Sequence, residues 1–100
     1  MNTVTVVGLV NLIKENGINA KGENYCIFQL ESDTNGEQVV VDVIGYNGIA
    51  KHVMNYVEKD MLIGVVGRLA RKQNKNENVV VIAGRISMAD RNYKLDEIGV

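Results

Sequence analysis

A single short stretch with helical periodicity lies among segments that all have strand character, and this restricts the fold more than any other feature. Within residues 47–57 the apolar side chains recur at helical spacing, and Asn47 is a suitable N-cap residue. Period-two or continuous apolar patterns predict five strands, over residues 3–14, 25–32, 39–46, 61–72 and 79–88. We therefore predict a β protein with one helix between its third and fourth strands.

Turn and bend signals add the connections between these strands. Asn35 and Gly36 form the strongest hairpin signal, because both positions tolerate the positive φ of a type I′ turn, and they predict an antiparallel pairing of strands two and three. Gly8 interrupts the first strand, where a glycine marks a bulge, a bend or a close backbone approach. A strand of this length with a central glycine is able to curve and serve two sheets. Gly45, Gly64 and Gly67 are also interpreted as bends, because they lack the spacing of a phosphate-binding loop.

Five strands with one helix between the third and the fourth are typical of the oligonucleotide/oligosaccharide-binding (OB) barrel. We therefore predict an all-β, five-stranded OB-fold barrel over residues 1–90 and a short polar tail over residues 91–100. The usual ligand surface of this fold is the face of strands two and three, with the loops predicted here at residues 15–24 and 73–78. The fold alone leaves open whether the ligand is a nucleic acid, a sugar or a protein.

Composition argues against several classes of function. The net charge of −1 is unlike the strongly basic profile of a duplex-binding protein. Cys26 is the single cysteine and His52 the single histidine, so neither a disulfide nor a metal-ligand set is indicated, and no catalytic constellation is readable. No apolar run approaches the roughly 18 residues of a membrane span, and no signal peptide is indicated. We expect a cytoplasmic binding protein without catalysis, metal or cofactor.

Cationic residues nevertheless gather near the end of the fourth strand, and others flank the first predicted loop. Four of them fall within eight residues, and one on the fifth strand is predicted to return beside them. The candidate phosphate-binding residues are Arg68, Arg71, Lys72, Lys75, Arg85, Lys14 and Lys21. The alternative for the strand-four cluster is a solvated hairpin that contacts no ligand.

Two tyrosines are candidates for stacking on bases, an interaction worth about 1–3 kcal/mol per base by alanine substitution. Tyr46 ends the third strand, and Tyr25 lies on the expected ligand strand. The alternative for Tyr46 is packing of the barrel end against the helix. Tyr56, on the flank of the helix, is interpreted as a packing or interface residue.

Four groups of residues stand in a recognisable order and spacing: Tyr46, Ala50, Lys51 and Tyr56; Gly64, Val65, Gly67, Arg68 and Leu69; Met1, Asn2, Val4, Val7 and Gly8; and Phe28 and Leu30. In these residues the sequence resembles the bacterial single-stranded-DNA-binding (SSB) protein family. Tyr46 matches the family position of a base-stacking aromatic, and the resemblance covers roughly residues 1–90. It implies a five-stranded barrel, no catalysis, assembly into dimers or tetramers, and binding of single-stranded DNA in replication, repair or recombination.

The sequence departs from the family pattern in two respects. It contains no tryptophan, and Val40 stands six residues before Tyr46, where it cannot stack on a base. The family's long tail with an acidic-hydrophobic end is not matched. These departures favour binding that depends more on charge than on stacking. They also favour an alternative function, an OB-fold protein-interaction module of a replication-restart assembly with weak nucleic-acid binding. The apolar first strand suggests a homo-oligomer, and replication proteins are further candidate partners.

Overall fold

A closed five-stranded barrel with one helix is formed by the residues described in the computed structural model, 2–71 and 79–88. The strands follow the order β1-β2-β3-β5-β4 around the barrel, and all neighbours are antiparallel except the parallel pair β3 and β5. The elements are β1 (Val4–Ile18), β2 (Asn24–Thr34), β3 (Glu37–Tyr46), α1 (Gly48–Tyr56), β4 (Leu62–Arg71) and β5 (Val79–Met88). This is the OB fold, and the predicted fold class and helix position are confirmed. The predicted loop 73–78 and tail 91–100 lie outside the described residues.

The first loop is shorter than predicted, because β1 and β2 extend into the polar stretch assigned to it. Their pairing continues from Glu15 opposite Ile27 to Ile18 opposite Asn24, so only residues 19–23 connect them. Ladder hydrogen bonds satisfy the backbone groups there whatever side chains the residues carry. A polar stretch is therefore not necessarily a loop, because polar side chains can also point outward from a pair of hydrogen-bonded strands.

β1 is shared by two parts of the barrel, as its length and central glycine suggested. Residues 4–9 pair with β4, and residues 9–18 pair with β2. Gly8 lies next to this changeover, where a Cβ would stand 2.5 Å from the carbonyl oxygen of Glu31. No larger residue fits there without a movement of the backbone.

The predicted hairpin between β2 and β3 is confirmed. Asn35 has φ 56° and Gly36 has φ 78°, the two positive values that a type I′ turn requires. The register then runs without interruption from Thr34 opposite Glu37 to Tyr25 opposite Tyr46. The hairpin turn therefore determines which side chains face each other at the far end of the pair.

The core lies inside the barrel and includes one face of α1. Phe28, Leu30 and Val43 are fully buried, and Ala50 and Val53 of α1 pack into the same cluster. Cys26 is a free buried thiol, as expected for a small sheet side chain, and burial raises its pKa. The alternation of buried and outward positions along β2 and β3 leaves their outer faces available for a ligand.

Replacing Gly67 should destabilise the barrel, because a Cβ at this position would collide with the carbonyl oxygen of Ile82 beside the β4–β5 bulge. We expect Gly67→Ala to lower the free energy of unfolding by about 1–3 kcal/mol, the usual cost of overpacking. The matched control is Gly64→Ala on the same strand, where the nearest atom to a new Cβ, Val7 Cγ2, is 3.7 Å away. Urea titrations measure both variants, and equal losses would contradict this account of Gly67.

Candidate nucleic-acid interface

One groove of about 690 Å³ on the outer surface brings together residues from the first loop, β3, β4 and β5. We call it the cross-strand groove. Its lining includes Lys21, Tyr46, Arg68 and Arg71, together with the apolar residues Ile44 and Ile82. Four of the predicted site residues are therefore collected at one place, although they come from three separate parts of the chain.

Strand register builds the floor of this groove. Ile44 of β3 pairs with Ile82 of β5, and Ile82 in turn pairs with Arg68 of β4. The three side chains therefore form a row across three strands, each about 4.8 Å from the next in the hydrogen-bonding direction. Their neighbours Val43 and Val81 are buried in the core, so this row points outward. The result is an apolar strip that ends at a cation.

The two candidate stacking residues stand directly opposite each other. Tyr25 pairs with Tyr46, and both line a cavity of about 290 Å³ that adjoins the groove and also includes Ile27 and Ile44. The Tyr25 hydroxyl donates a hydrogen bond of 2.5 Å to Glu15 Oε2, and this bond raises the pKa of Tyr25. Glu15 therefore fixes the polar end of Tyr25.

The first loop is held in one conformation by Asn19, which was not among the predicted site residues. Asn19 Oδ1 accepts hydrogen bonds from the backbone N–H groups of Lys21 and Glu23, at 3.0 and 2.9 Å. The Gly22 N–H donates to the Asn19 carbonyl at 3.0 Å and closes the turn. An available signal was the pattern of asparagine followed three residues later by glycine, which type I turns prefer.

Glu23 connects this loop to the end of β3. Its Oε1 accepts a hydrogen bond from Asn19 Nδ2 at 3.1 Å, and its Oε2 accepts one from Asn47 Nδ2 at 3.4 Å. The Asn47 backbone N–H also donates to the Asn24 carbonyl at 2.8 Å. Lys21 is consequently held on a loop that is tied to the residue after Tyr46, and no sequence pattern linked these distant residues.

Asn47 also differs from its predicted role. It occupies the N-cap position of α1, but its side chain makes no capping hydrogen bond. The amide donates to Glu23 instead, because the positive φ of 53° directs the residue away from the usual cap conformation. The helix begins where predicted, and the capping contact is absent.

The remaining candidate cations are placed differently. Lys14 Nζ forms an ion pair of 3.1 Å with Asp42 Oδ2 on the outer face of β3, so a carboxylate already neutralises it. Arg85 is exposed and pairs with Val66, two residues before Arg68, and it does not line the groove. Lys72 and Lys75 lie outside the described residues.

Acidic side chains predominate on the outer face of the β2–β3 hairpin, and basic side chains predominate in the cross-strand groove. The outward positions of the distal β2–β3 hairpin carry Glu31, Asp33 and Asp42, and within the described ranges Lys14 is the cation beside them. The cross-strand groove instead carries Lys21, Arg68 and Arg71 with Glu23, whose carboxylate accepts two amide hydrogen bonds. A polyanion is therefore attracted to the groove and repelled by the distal hairpin.

None of the helices that the structure describes is long and apolar enough to cross a membrane. Within residues 2–71 and 79–88, no group of three or more His, Cys, Asp or Glu residues is arranged to hold a metal ion. The His52 ring lies against Tyr56, with 5.1 Å between the ring centroids.

The fold and the groove together define an OB barrel whose outer surface combines tyrosines, an apolar strip and cations. Among solved structures, the chain is similar to the SSB domain of a protein from Synechococcus sp., with a TM-score of 0.76 and 12% identity over 87% of this chain and 94% of that one. It is also similar to the protein PriB from Ralstonia solanacearum, with a TM-score of 0.69 and 15% identity over 89% of this chain and 99% of that one. No family model and no curated protein sequence matches the chain. At these identities the similarity establishes the OB fold.

Proposed function

We propose that this protein binds single-stranded DNA without sequence preference, as a non-enzymatic component of replication, repair or recombination. The observation that carries the proposal is the cross-strand groove, in which Tyr46 lies together with Lys21, Arg68 and Arg71. Single-strand binders combine a cationic groove along the phosphates with aromatic faces for the bases. The similarity of fold to an SSB domain supports the same function.

The roles of the residues follow from their positions. Lys21 lines the groove from the first loop, and Arg68 and Arg71 line it from β4, so we assign these three cations to the phosphates of a bound strand. Tyr46 and the Ile44–Ile82 strip are assigned to base faces, which are free in a single strand and stacked inside a duplex. Every base has such a face, and contacts of this kind are therefore tolerant of sequence.

A protein-interaction module is the second candidate, and a specific observation favours it. Val40 is 47% exposed on the same face of β3 as Tyr46, where an aromatic residue would otherwise extend the stacking surface. Fluorescence anisotropy with labelled oligo-dT, with duplex DNA and single-stranded RNA as competitors, separates the two candidates. The proposal is supported if labelled oligo-dT stays bound when duplex DNA is added as a competitor. An absence of binding at low salt would overturn it and favour the interaction module.

Truncation of Tyr46 should weaken DNA binding through the loss of a stacking surface. We expect Tyr46→Ala to cost about 1–3 kcal/mol, which raises the Kd for oligo-dT about 5- to 150-fold. Tyr56→Ala is the matched control, because Tyr56 is an exposed tyrosine of α1 outside the groove. Anisotropy titrations at one fixed salt concentration compare the two variants, and equal effects would show that Tyr46 does not belong to the binding site.

Binding should depend steeply on salt, because the groove offers more cations than aromatic rings. If Lys21, Arg68 and Arg71 each neutralise one phosphate, the logarithm of the affinity falls against the logarithm of the salt concentration with a slope of about 0.7 per contact, which is a loss of about 20-fold between 50 and 200 mM salt. The double variant Arg68→Ala/Arg71→Ala should reduce this loss to about threefold.

Lys59→Ala is the control for these titrations, since Lys59 is exposed in the turn before β4, at the end of that strand opposite to Arg71. We expect it to keep the salt dependence of the original protein. A double variant with an unchanged slope would show that the two arginines do not contact phosphates.

We further propose that the chain assembles as a homo-oligomer, a dimer or tetramer, through β1. Val7, Leu12 and Ile18 of this strand are 55%, 52% and 70% exposed, and contact with a second copy of the chain would remove this apolar surface from water. Light scattering at micromolar concentration should give a mass above that of one chain. A monomeric mass would contradict the proposed assembly. It would not bear on the DNA-binding proposal, which is tested separately by anisotropy.

A further inference from the structure

The backbone at one Asn-Gly peptide, Asn47–Gly48, is set close to the geometry of a cyclic imide. Asn47 has φ 53° and ψ −118°, close to the values of about +60° and −120° at the first central position of a type II′ turn. Cβ and the backbone nitrogen are tetrahedral substituents of the same Cα, so this ψ makes the Gly48 nitrogen nearly eclipse the Asn47 Cβ. Rotation of the side chain then brings Cγ within reach of that nitrogen to close a five-membered ring.

We propose that Asn47 is a site of spontaneous deamidation at the edge of the cross-strand groove. The Gly48 nitrogen loses its proton to solvent and attacks Asn47 Cγ. A Cγ–N bond forms, the Cγ–Nδ2 bond breaks, and Nδ2 leaves as ammonia. Water then opens the resulting succinimide at either carbonyl and yields aspartate or isoaspartate. The net reaction consumes one water and releases one ammonia, without a change of oxidation state.

The surroundings of this peptide favour the reaction. Asn47 and Gly48 are both exposed, and a Cβ on Gly48 would meet no atom within 4 Å, so solvent reaches the reacting atoms. Gly48 is the first residue of α1, and the first N–H groups of a helix have no intrahelical acceptor. Hydrogen bonds from the Asn47 N–H to the Asn24 carbonyl, and from the Lys51 N–H to the Asn47 carbonyl, hold the backbone in place.

The other two Asn-Gly pairs serve as internal comparisons. Asn35 occupies the first central position of a type I′ turn, where ψ is about +30°. Asn16 is paired with Cys26 in the β1–β2 ladder, where an antiparallel strand has ψ of about +135°. In both, the following nitrogen is turned away from Cβ, so the backbone must open before the ring can close.

Modification at Asn47 would alter the groove. The product replaces the amide that donates to Glu23 with a carboxylate, and two like charges then face each other. Isoaspartate also inserts a methylene into the backbone directly after Tyr46. The expected loss of DNA affinity on ageing rests on the proposed function, whereas the covalent change does not.

The test is to incubate the purified native protein at mildly alkaline pH, digest samples over time, and quantify aspartate, isoaspartate and succinimide in each Asn-Gly peptide by mass spectrometry. We expect Asn47 to react at least about tenfold faster than Asn35 or Asn16, a barrier difference of about 1.4 kcal/mol. In urea the three rates should converge. Faster reaction of Asn35 in the native protein, or faster reaction of Asn47 in urea than in the fold, would overturn the proposal.

Gly48→Ala is the matched variant, since the open space around Gly48 accommodates a methyl group while that group hinders attack by the nitrogen. We expect the Asn47 rate to fall about tenfold or more, again about 1.4 kcal/mol, and the Asn35 rate to stay the same. An unchanged Asn47 rate would contradict the proposed route. The readout contains no DNA, so failure here is distinct from failure of the proposed function.

Discussion

Barrel closure depends on two places where backbones approach closely enough to exclude a side chain. At Gly8, β1 passes over the carbonyl of Glu31 as it leaves β4 and continues along β2. At Gly67, β4 passes over the carbonyl of Ile82 beside the bulge of the β4–β5 pair. These contacts let β1 and β4 bend without losing their ladders, and they bring β5 beside β3 for the short parallel pairing that completes the barrel.

The groove is a consequence of this closure. The β3–β5 pairing places Ile44 beside Ile82, and the β4–β5 pairing places Arg68 beside Ile82. Without the β3–β5 pairing, the tyrosine end of β3 and the arginine end of β4 would lie at opposite sides of an open sheet. The apolar strip and its cation therefore depend on strand pairing between residues far apart in sequence, and they carry no local signal.

The elements of the fold could be predicted because each has a local physical cause. The helical period over residues 47–57 and the two positive φ positions at Asn35 and Gly36 are properties of short segments, and both led to correct predictions. The extent of β1 could not be predicted, because its polar end is held by pairing with β2. Tyr46, Arg68 and Arg71 were named from residue type and resemblance. Asn19 and Glu23 depend on side-chain hydrogen bonds between loop, strand end and helix start, which the sequence does not display.

The passage from β3 to α1 shows why an asparagine stands at residue 47. The chain turns from strand to helix within one residue, and the type II′ conformation at that point, with φ 53° and ψ −118°, is adopted mainly by glycine, asparagine and aspartate. A glycine would make the turn but would leave Glu23 Oε2 without this amide donor. An aspartate would place a second carboxylate there. Asparagine makes the turn and donates the hydrogen bond that ties the Lys21 loop to the residue after Tyr46. The same ψ that permits this arrangement also aligns the Gly48 nitrogen for attack on the Asn47 side chain. The peptide that ties the groove together is therefore also the one that is prone to deamidation.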